Sequence, residues 1–369
     1  MNMRVPGLTP LGIWIEASSD RACKHAQAAL TDMMLRYKFP FQPEFRYHPE
    51  DSGRLQMTCG QALYESLNDY FEALHLNPNE PISSHVACGD LNHEILLAML
   101  CAPVALQFNS VEQLESHVRI RRNIVIAAAK TSLNFETHTA ERPHDFWEAT
   151  EDRGWVLRAG VQLEDAIIAA TQPEVTGRAY GFSCYRATEY ILLLGIAQEA
   201  KWVAPDYLEH IENQCRTEVL RSDPFHLEYA VEYGTMQRPV PPLFYIPGDR
   251  VWFKNPDPKS SDVTGYEGSW VFYLGHGKFS NFWHRDRPFD LVSKCLEIYH
   301  WRNGLEFYGE ENQRINEELV ATLQLQTRSN PIEMHKVLAK MMAYRDPGGV
   351  YANGGCIDST REIPRPNLF

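Results

Sequence analysis

The sequence of 369 residues lacks the usual metal-binding patterns. Its eight cysteines occur singly, with no CxxC pair and no zinc-type spacing, and its fourteen histidines form no HExxH motif. No metal site is therefore predicted. Isolated cysteines in a chain of this length indicate free thiols in a reducing compartment rather than a disulfide framework.

Long apolar runs and an excess of basic residues are also missing. The sequence has no run of about 18 apolar residues, the least that predicts a membrane span. The amino terminus lacks a long apolar core and a small-residue cleavage site, so no signal peptide is predicted. A cytoplasmic location is expected, with export by a signal-independent route left open. The formal net charge of −13 argues against a nucleic-acid partner.

The most informative pattern lies in residues 178–202, RAYGFSCYRATEYILLLGIAQEAKW. Apolar residues recur every three to four positions after Ala187, which predicts a buried helix. Ser183 is a favourable N-cap and would place Cys184 in the first helical turn. A thiol there is close to the positive end of the helix dipole, which favours the nucleophilic thiolate. The alternative is a buried structural cysteine.

The amino-terminal part, residues 1–83, predicts a small α/β module of unknown role. Its patterns indicate a strand over residues 11–17, a helix over 19–36, a turn-bounded strand within 38–51 and a helix over 58–76.

A capped amphipathic helix is predicted over residues 110–131. It carries the one dense basic run, Arg119, Arg121 and Arg122. We expect a solvated or salt-bridged helix face there rather than an anion site.

The second half of the chain predicts an antiparallel sheet. Residues 222–250 indicate turns and short strands, and strands are predicted over 250–254 and 269–274. The Gly- and Pro-rich tail, residues 348–369, is expected to lie over the surface. A helix with a reactive cysteine followed by such a sheet is the order of a papain-like core, in which the sheet presents a base to the thiol.

Several blocks of sequence resemble the spore-coat type of bacterial protein-glutamine gamma-glutamyltransferase, a small transglutaminase. Their order and spacing agree over about residues 90–369. The blocks are residues 121–131, 179–188, 247–256 and 266–275, with a similar carboxyl end at 359–369.

This resemblance implies an α+β fold with a papain-like core of the NlpC type over residues 84–369, to which residues 1–83 are added. In that core a nucleophile helix packs on an antiparallel sheet. The implied reaction is acyl transfer, in which a cysteine attacks a protein glutamine, ammonia leaves, and a protein lysine takes the acyl group from the thioester. The implied partners are these protein substrates, and no metal, calcium or other cofactor is implied.

The resemblance also implies site residues. Cys184 falls on the family's nucleophile, whereas Ser183 and Ser269 stand where the family has glutamates. Another group is therefore expected to serve as the base. The candidates are Glu267, which would share a strand face with Ser269, and His284, with Asn281 as its orienting partner.

Further residues complete the predicted site. His226 resembles a histidine of the family and is another candidate base. The aromatic residues Tyr180, Tyr266, Trp252 and Trp283 are expected to form a slot for the flat carboxamide and the lysine chain. A deamidase or cysteine peptidase of the same fold, or a non-catalytic binding or structural descendant, is the alternative function.

Overall fold

A computed structural model describes residues 9–50, 53–65, 90–136, 141–151, 154–220, 222–308, 312–346 and 354–366. Over these residues the chain has a mixed α/β fold with a four-stranded sheet, a six-stranded sheet and short two-stranded pairs. In chain order the elements are β1 Ile13–Glu16, α1 Asp20–Arg36, β2 Glu44–His48, β3 Arg54–Thr58, α2 Leu91–Leu100, β4 Leu106–Phe108, α3 Val111–Lys130, β5 Asn134–Phe135, β6 Trp147–Ala149, β7 Trp155–Leu157, α4 Leu163–Thr171, α5 Pro173–Thr176, β8 Gly181–Phe182, α6 Cys184–Val203, α7 Pro205–Thr217, α8 Ser222–Tyr229, β9 Ala230–Tyr233, β10 Arg250–Lys254, β11 Gly268–Gly275, β12 Lys278–Phe279, β13 Phe289–Asp290, α9 Leu291–Gly304, β14 Leu305–Tyr308, β15 Asn312–Ile315, α10 Glu317–Ser329, α11 Pro331–Met341 and β16 Arg361–Pro364.

The amino-terminal sheet has the strand order β2-β3-β1-β4. The strand and helix predicted over residues 11–36 are confirmed as β1 and α1, and Ser19 caps the helix by accepting the Ala22 N–H at 3.2 Å. The sheet takes its fourth strand, β4, from residues 106–108. Both the predicted boundary at residue 83 and most of the predicted helix over 58–76 lie outside the described residues, so the division into two domains stays a prediction.

The six-stranded sheet has the order β13-β12-β11-β10-β16-β9, and all of its pairings are antiparallel. Its central strand β11 is covered on both faces because successive side chains point to opposite sides. Phe272 packs into the core that includes α3 and α6, whereas Val271 and Tyr273 pack into the core formed with α9, α10 and α11. The sheet is therefore a middle layer between two groups of helices.

Two predictions from composition are wrong. Part of the segment expected to hold turns and short strands is the helix α8, because Pro224 lies in its first turn, where a missing N–H costs nothing. The tail does not lie over the surface, since β16 is inserted between β10 and β9 and is buried along its length. Its Arg361 is buried, and its Nη1 donates to the Asp358 carbonyl at 2.8 Å while the guanidinium lies over the Tyr245 ring.

Two of the three arginines of the basic run in α3, Arg119 and Arg121, form salt bridges, as expected for part of this run. Arg119 binds Glu199 of α6 through both carboxylate oxygens. Arg121 is fully buried and donates to Asp249 Oδ1 at 2.9 Å. Asp249 also accepts the Tyr233 hydroxyl, so this buried pair fixes α3 to the start of β10.

Helices α3 and α6 approach each other closely at Gly195. A Cβ on Gly195 would lie 2.5 Å from Ile124 Cγ1 and 3.2 Å from the Ile120 carbonyl oxygen. The absence of a side chain on Gly195 therefore sets the separation of the two helices.

We expect Gly195→Ala to lower the free energy of unfolding by about 1–3 kcal/mol because overpacking outweighs the roughly 1 kcal/mol that alanine gains in helix propensity. Urea unfolding followed by circular dichroism measures the difference. A variant more stable than the parent protein would contradict the close approach.

Candidate active site

Cys184 is the first residue of α6, as the sequence predicted. Ser183 caps the helix by accepting the Arg186 N–H at 3.2 Å, and the short strand β8 that precedes it pairs with β5. Cys184 is partly exposed, whereas the other free cysteines among the described residues are all buried. Cys184 is therefore the least buried of the cysteines in the described part of the chain.

The Cys184 sulfur is held against the sheet by backbone amides. It accepts hydrogen bonds from the N–H groups of Trp270 in β11 and of Tyr185. Two residues after Trp270 on the same edge of β11, the Phe272 N–H donates to Ser280 Oγ at 2.9 Å. Because β12 pairs with β11 only from Tyr273 onward, the Trp270 amide is left to bind the sulfur.

Two opposing effects act on the Cys184 thiol. Burial is the larger and raises the pKa of the thiol above its ordinary value. The Trp270 amide, the positive charges of Lys294 and Arg250, and the Tyr185 amide lower the pKa of Cys184 and offset part of that rise. The expectation that the helix terminus makes this cysteine a ready thiolate therefore needs correction, since desolvation outweighs the groups that favour the ionised form.

A cleft of about 270 Å³ opens beside Cys184. It joins residues from α6, β11, the segment after β12, and helices α9 and α10. Six of the predicted site residues line it, namely Cys184, Ser269, Asn281, His284, Tyr266 and Trp283. A second cavity, of about 420 Å³, lies between α7 and α8 and shares no lining residue with this cleft.

Three predicted site residues do not line the cleft. Glu267 lies just before β11, so it does not share a strand face with Ser269 as expected. Its side chain is exposed and accepts the Gly265 N–H at 3.0 Å. Trp252 stacks on Trp270 with ring centroids 5.8 Å apart. Tyr180 is buried in the core below the guanidinium of Arg178.

The predicted pairing of Asn281 with the His284 ring is not what the structure shows. The Asn281 side chain accepts the backbone N–H of His284 at 3.1 Å and donates to the Arg287 carbonyl at 2.9 Å. Asn281 therefore shapes the turn, and His284 stands exposed at the edge of the cleft.

His226 belongs to a different polar cluster. Its Nε2 lies 2.9 Å from the Tyr185 hydroxyl, and its Nδ1 lies 3.4 Å from a carboxylate oxygen of Glu362. Burial lowers the pKa of His226 and so favours the neutral ring, although the nearby Glu362 carboxylate acts in the opposite direction. Its hydrogen bond runs to Tyr185, the neighbour of Cys184, rather than to the sulfur.

Lys294 of α9 also lines the cleft and was not predicted as a site residue. Its Nζ donates to Ser269 Oγ at 3.3 Å and to Glu297 Oε2 at 2.6 Å, and its side chain is only 3% exposed. A signal was present, because Lys294 follows Leu291 and precedes Ile298 at helical spacing and so falls on the buried face of α9.

The cleft has an aromatic wall that was only partly predicted. Phe135 lies edge-on to Trp283 at 5.3 Å and to Tyr266 at 6.2 Å between ring centroids. Trp301 lies edge-on to Tyr266 at 5.2 Å. Phe135 comes from β5, far away in sequence, and single aromatic residues gave no signal of this assembly.

Two classes of feature are not found among the described residues. They contain no group of three His, Cys, Asp or Glu side chains that could hold a metal ion. None of their helices is long and apolar enough to cross a membrane.

The fold and the cleft thus define a mixed α/β protein with a cysteine that lines a cleft at a helix amino terminus. The model of the protein-glutamine gamma-glutamyltransferase family matches residues 72–353, about three quarters of the chain. The chain belongs to this family.

Two relatives can be compared in detail. A protein-glutamine gamma-glutamyltransferase from Halalkalibacterium halodurans is 26% identical over 196 residues, which are 52% of this chain and 63% of that protein. A solved structure of the transglutaminase from Geobacillus stearothermophilus without its C-terminal extension covers 58% of this chain and 98% of its own length, with 17% identity and a TM-score of 0.40.

We expect alkylation of Cys184 by iodoacetamide to accelerate with pH and to level off above the ordinary thiol value of about 8.5, because burial keeps the group protonated near neutrality. Rates measured from pH 6 to 10, with Cys184→Ala subtracted for the other thiols, give the apparent pKa. If the alkylation rate were already independent of pH at pH 7, the thiol would be ionised there, and the expected effect of burial on its pKa would be contradicted.

Proposed function

We propose that this protein is a transglutaminase in which Cys184 attacks the carboxamide of a protein glutamine and passes the acyl group to a lysine amine. The observation that carries the proposal is the position of Cys184, which is partly exposed at the start of α6, bound by an amide of β11 and open to an aromatic cleft. Membership of the family supports the same reaction.

We propose further that residues 84–369 form a papain-like core. Helix α6 packs against the antiparallel strand β11, which is the relation of nucleophile helix to sheet that such a core requires. Strands β1, β2 and β3 would then be the addition, joined to the core through their sheet partner β4, with a role that the reaction does not specify.

The chemistry follows from the groups around the sulfur. The thiolate, which the amide N–H groups of Trp270 and Tyr185 favour, adds to the glutamine carbonyl carbon. The C–N bond breaks and ammonia leaves with the proton given up by the thiol. The lysine amine then adds to the thioester, the C–S bond breaks, and the proton that the amine loses returns to the Cys184 sulfur.

The aromatic wall suits the donor group. A primary carboxamide is flat and can lie between the rings of Phe135, Tyr266 and Trp283 at the entrance. Burial of its methylene chain against these rings would stabilise binding without any charge on the glutamine.

Acidic groups suit the acceptor. Glu317 lines the cleft and accepts the Tyr266 hydroxyl at 2.8 Å, while Glu297 lies deeper beside Lys294. A lysine ammonium approaching the thioester is attracted to these carboxylates before it loses a proton and reacts.

Replacing the nucleophile is the direct test. We expect Cys184→Ala to abolish incorporation of a fluorescent primary amine into a glutamine-containing protein while leaving the circular dichroism spectrum unchanged. Cys23→Ala, which alters a buried cysteine of α1 in another core, is the matched control and should retain incorporation.

The outcomes separate the functions. Incorporation that survives in Cys184→Ala would overturn the proposal. Ammonia release by the parent protein without amine incorporation would instead indicate a deamidase, in which water is the acceptor.

We expect Glu317→Gln to raise KM for the amine about two- to fivefold with little change in kcat, since an exposed charge pair contributes about 0.5–1 kcal/mol. Steady-state incorporation at varied amine concentration measures both constants. The neighbouring Glu318→Gln, whose side chain does not line the cleft, should leave KM unchanged. Equal effects of the two variants would remove Glu317 from the acceptor site.

A further inference from the structure

We propose that Lys294 supplies the positive charge that stabilises the Cys184 thiolate, with the Ser269 hydroxyl and the Glu297 carboxylate holding its ammonium in place. This inference rests on the proposed function and identifies how its nucleophile is made reactive. It assigns to a buried lysine of α9 the role for which the sequence offered only histidines and an acidic residue.

The placement of Lys294 carries the argument. Its side chain is almost fully buried, and both groups that bind its Nζ, Ser269 Oγ at 3.3 Å and Glu297 Oε2 at 2.6 Å, line the same cleft as Cys184. A buried ammonium is costly to hold away from water, so a lysine here calls for a reason beyond packing. Its ammonium nitrogen also lies over the Phe289 ring, 3.4 Å from the ring centroid.

Ser269 connects the ammonium to the nucleophile. It directly precedes Trp270, whose amide binds the Cys184 sulfur, so the lysine is bound at the same point of β11 as the thiol. A hydroxyl can accept from an ammonium while its own hydrogen remains free to donate elsewhere. The serine is therefore suited to fix Lys294 without neutralising it.

The other candidates are less well placed. The positive charge of Arg250 also lowers the pKa of Cys184, but its guanidinium already forms a salt bridge with Glu362 and donates to Thr188 Oγ1 at 2.7 Å. His226 binds Tyr185, and His284 is exposed at the edge of the cleft. Lys294 is thus the cation that belongs to the cleft itself.

The predicted signs depend on all charges nearby. Removing the Lys294 charge should make the thiolate less stable, whereas removing the Glu297 charge should make it more stable because Lys294 is then less compensated. The titratable or charged groups around Cys184 and Lys294 among the described residues are Tyr185 of α6, Arg250 of β10, Tyr266, His284, Asp290 of β13, Cys295 and Glu297 of α9, and Glu317 of α10. A further cluster behind Tyr185 and Arg250 comprises Arg186, Glu189, His226 and Glu362.

The experiment measures the pH dependence of Cys184 alkylation by iodoacetamide in the full chain, with the rate of Cys184→Ala subtracted. We expect Lys294→Met to raise the apparent pKa and slow alkylation near pH 7.5 about three- to tenfold. Glu297→Gln, which keeps an oxygen to accept from Lys294, should lower the apparent pKa. Lys294→Arg should restore a value near that of the parent protein.

Lys201→Met is the matched control. It removes a lysine from the same helix as Cys184 and breaks a Lys–Glu pair, with Glu164 at 3.0 Å. Lys201 lies 17 residues after Cys184 along α6, about 25 Å away at 1.5 Å per residue. The apparent pKa of Cys184 should not change in this variant.

The outcomes are decisive even if one variant is poorly folded. Should Lys294→Met unfold, as thermal unfolding would reveal, Glu297→Gln still tests the role of the lysine. An apparent pKa that is unchanged or raised in Glu297→Gln, or unchanged in folded Lys294→Met, would overturn the role of Lys294. If the role of Lys294 is overturned in this way but the parent protein still incorporates amines, the proposed function stands. Amine incorporation by Cys184→Ala would instead contradict the proposed function.

Discussion

The hydrogen bond from the Trp270 amide to the Cys184 sulfur is the contact on which the site depends, because it joins the start of α6 to β11. Everything that fixes these two elements also fixes the thiol. Gly195 lets α6 lie close to α3, and the buried pair of Arg121 and Asp249 ties α3 to the start of β10. β10 in turn pairs with β11, so a continuous chain of contacts through α3 and β10 connects α6 to β11.

The electrostatics of the cleft follow from this docking. Bringing the sulfur against the sheet removes it from water and raises the pKa of Cys184, which favours the inactive thiol. The same docking places Lys294 close by, so a positive charge in a poorly solvated site offsets part of that cost. Reactivity is thus a balance between burial and nearby charge rather than a property of the helix terminus alone.

Much of the cysteine's surroundings could be predicted because local signals fix them. Ser183 is a cap because its hydroxyl reaches an amide three residues later, and the apolar spacing after Ala187 specifies one buried face. Cys184 and Ser269, which the family resemblance singled out, line one cleft with Tyr266 and Trp283, two of the four aromatic residues expected there. These features depend on neighbouring residues or on a motif that carries its own geometry.

What the sequence did not predict depends on contacts between distant segments. β16 looked like a surface tail because its flanks are rich in Gly and Pro, yet the gap between β10 and β9 provides partners on both sides. Lys294 falls on the buried face of α9 by its spacing, but its contact with Ser269 of the distant strand β11 cannot be predicted from the helix alone. The prediction that Glu267 shares a strand face with Ser269 did not hold because β11 begins only at Gly268, and the alternation of side chains does not extend to Glu267.

The central claim is that a glutamine acyl group becomes attached to Cys184. Intact-mass spectrometry of the protein incubated with a glutamine peptide, with the amine acceptor left out, tests it most directly. The account predicts an adduct equal to the peptide less one ammonia, located on Cys184 by digestion and lost on adding a primary amine. An adduct on any other residue, or ammonia release from Cys184→Ala at the parent rate, would contradict it.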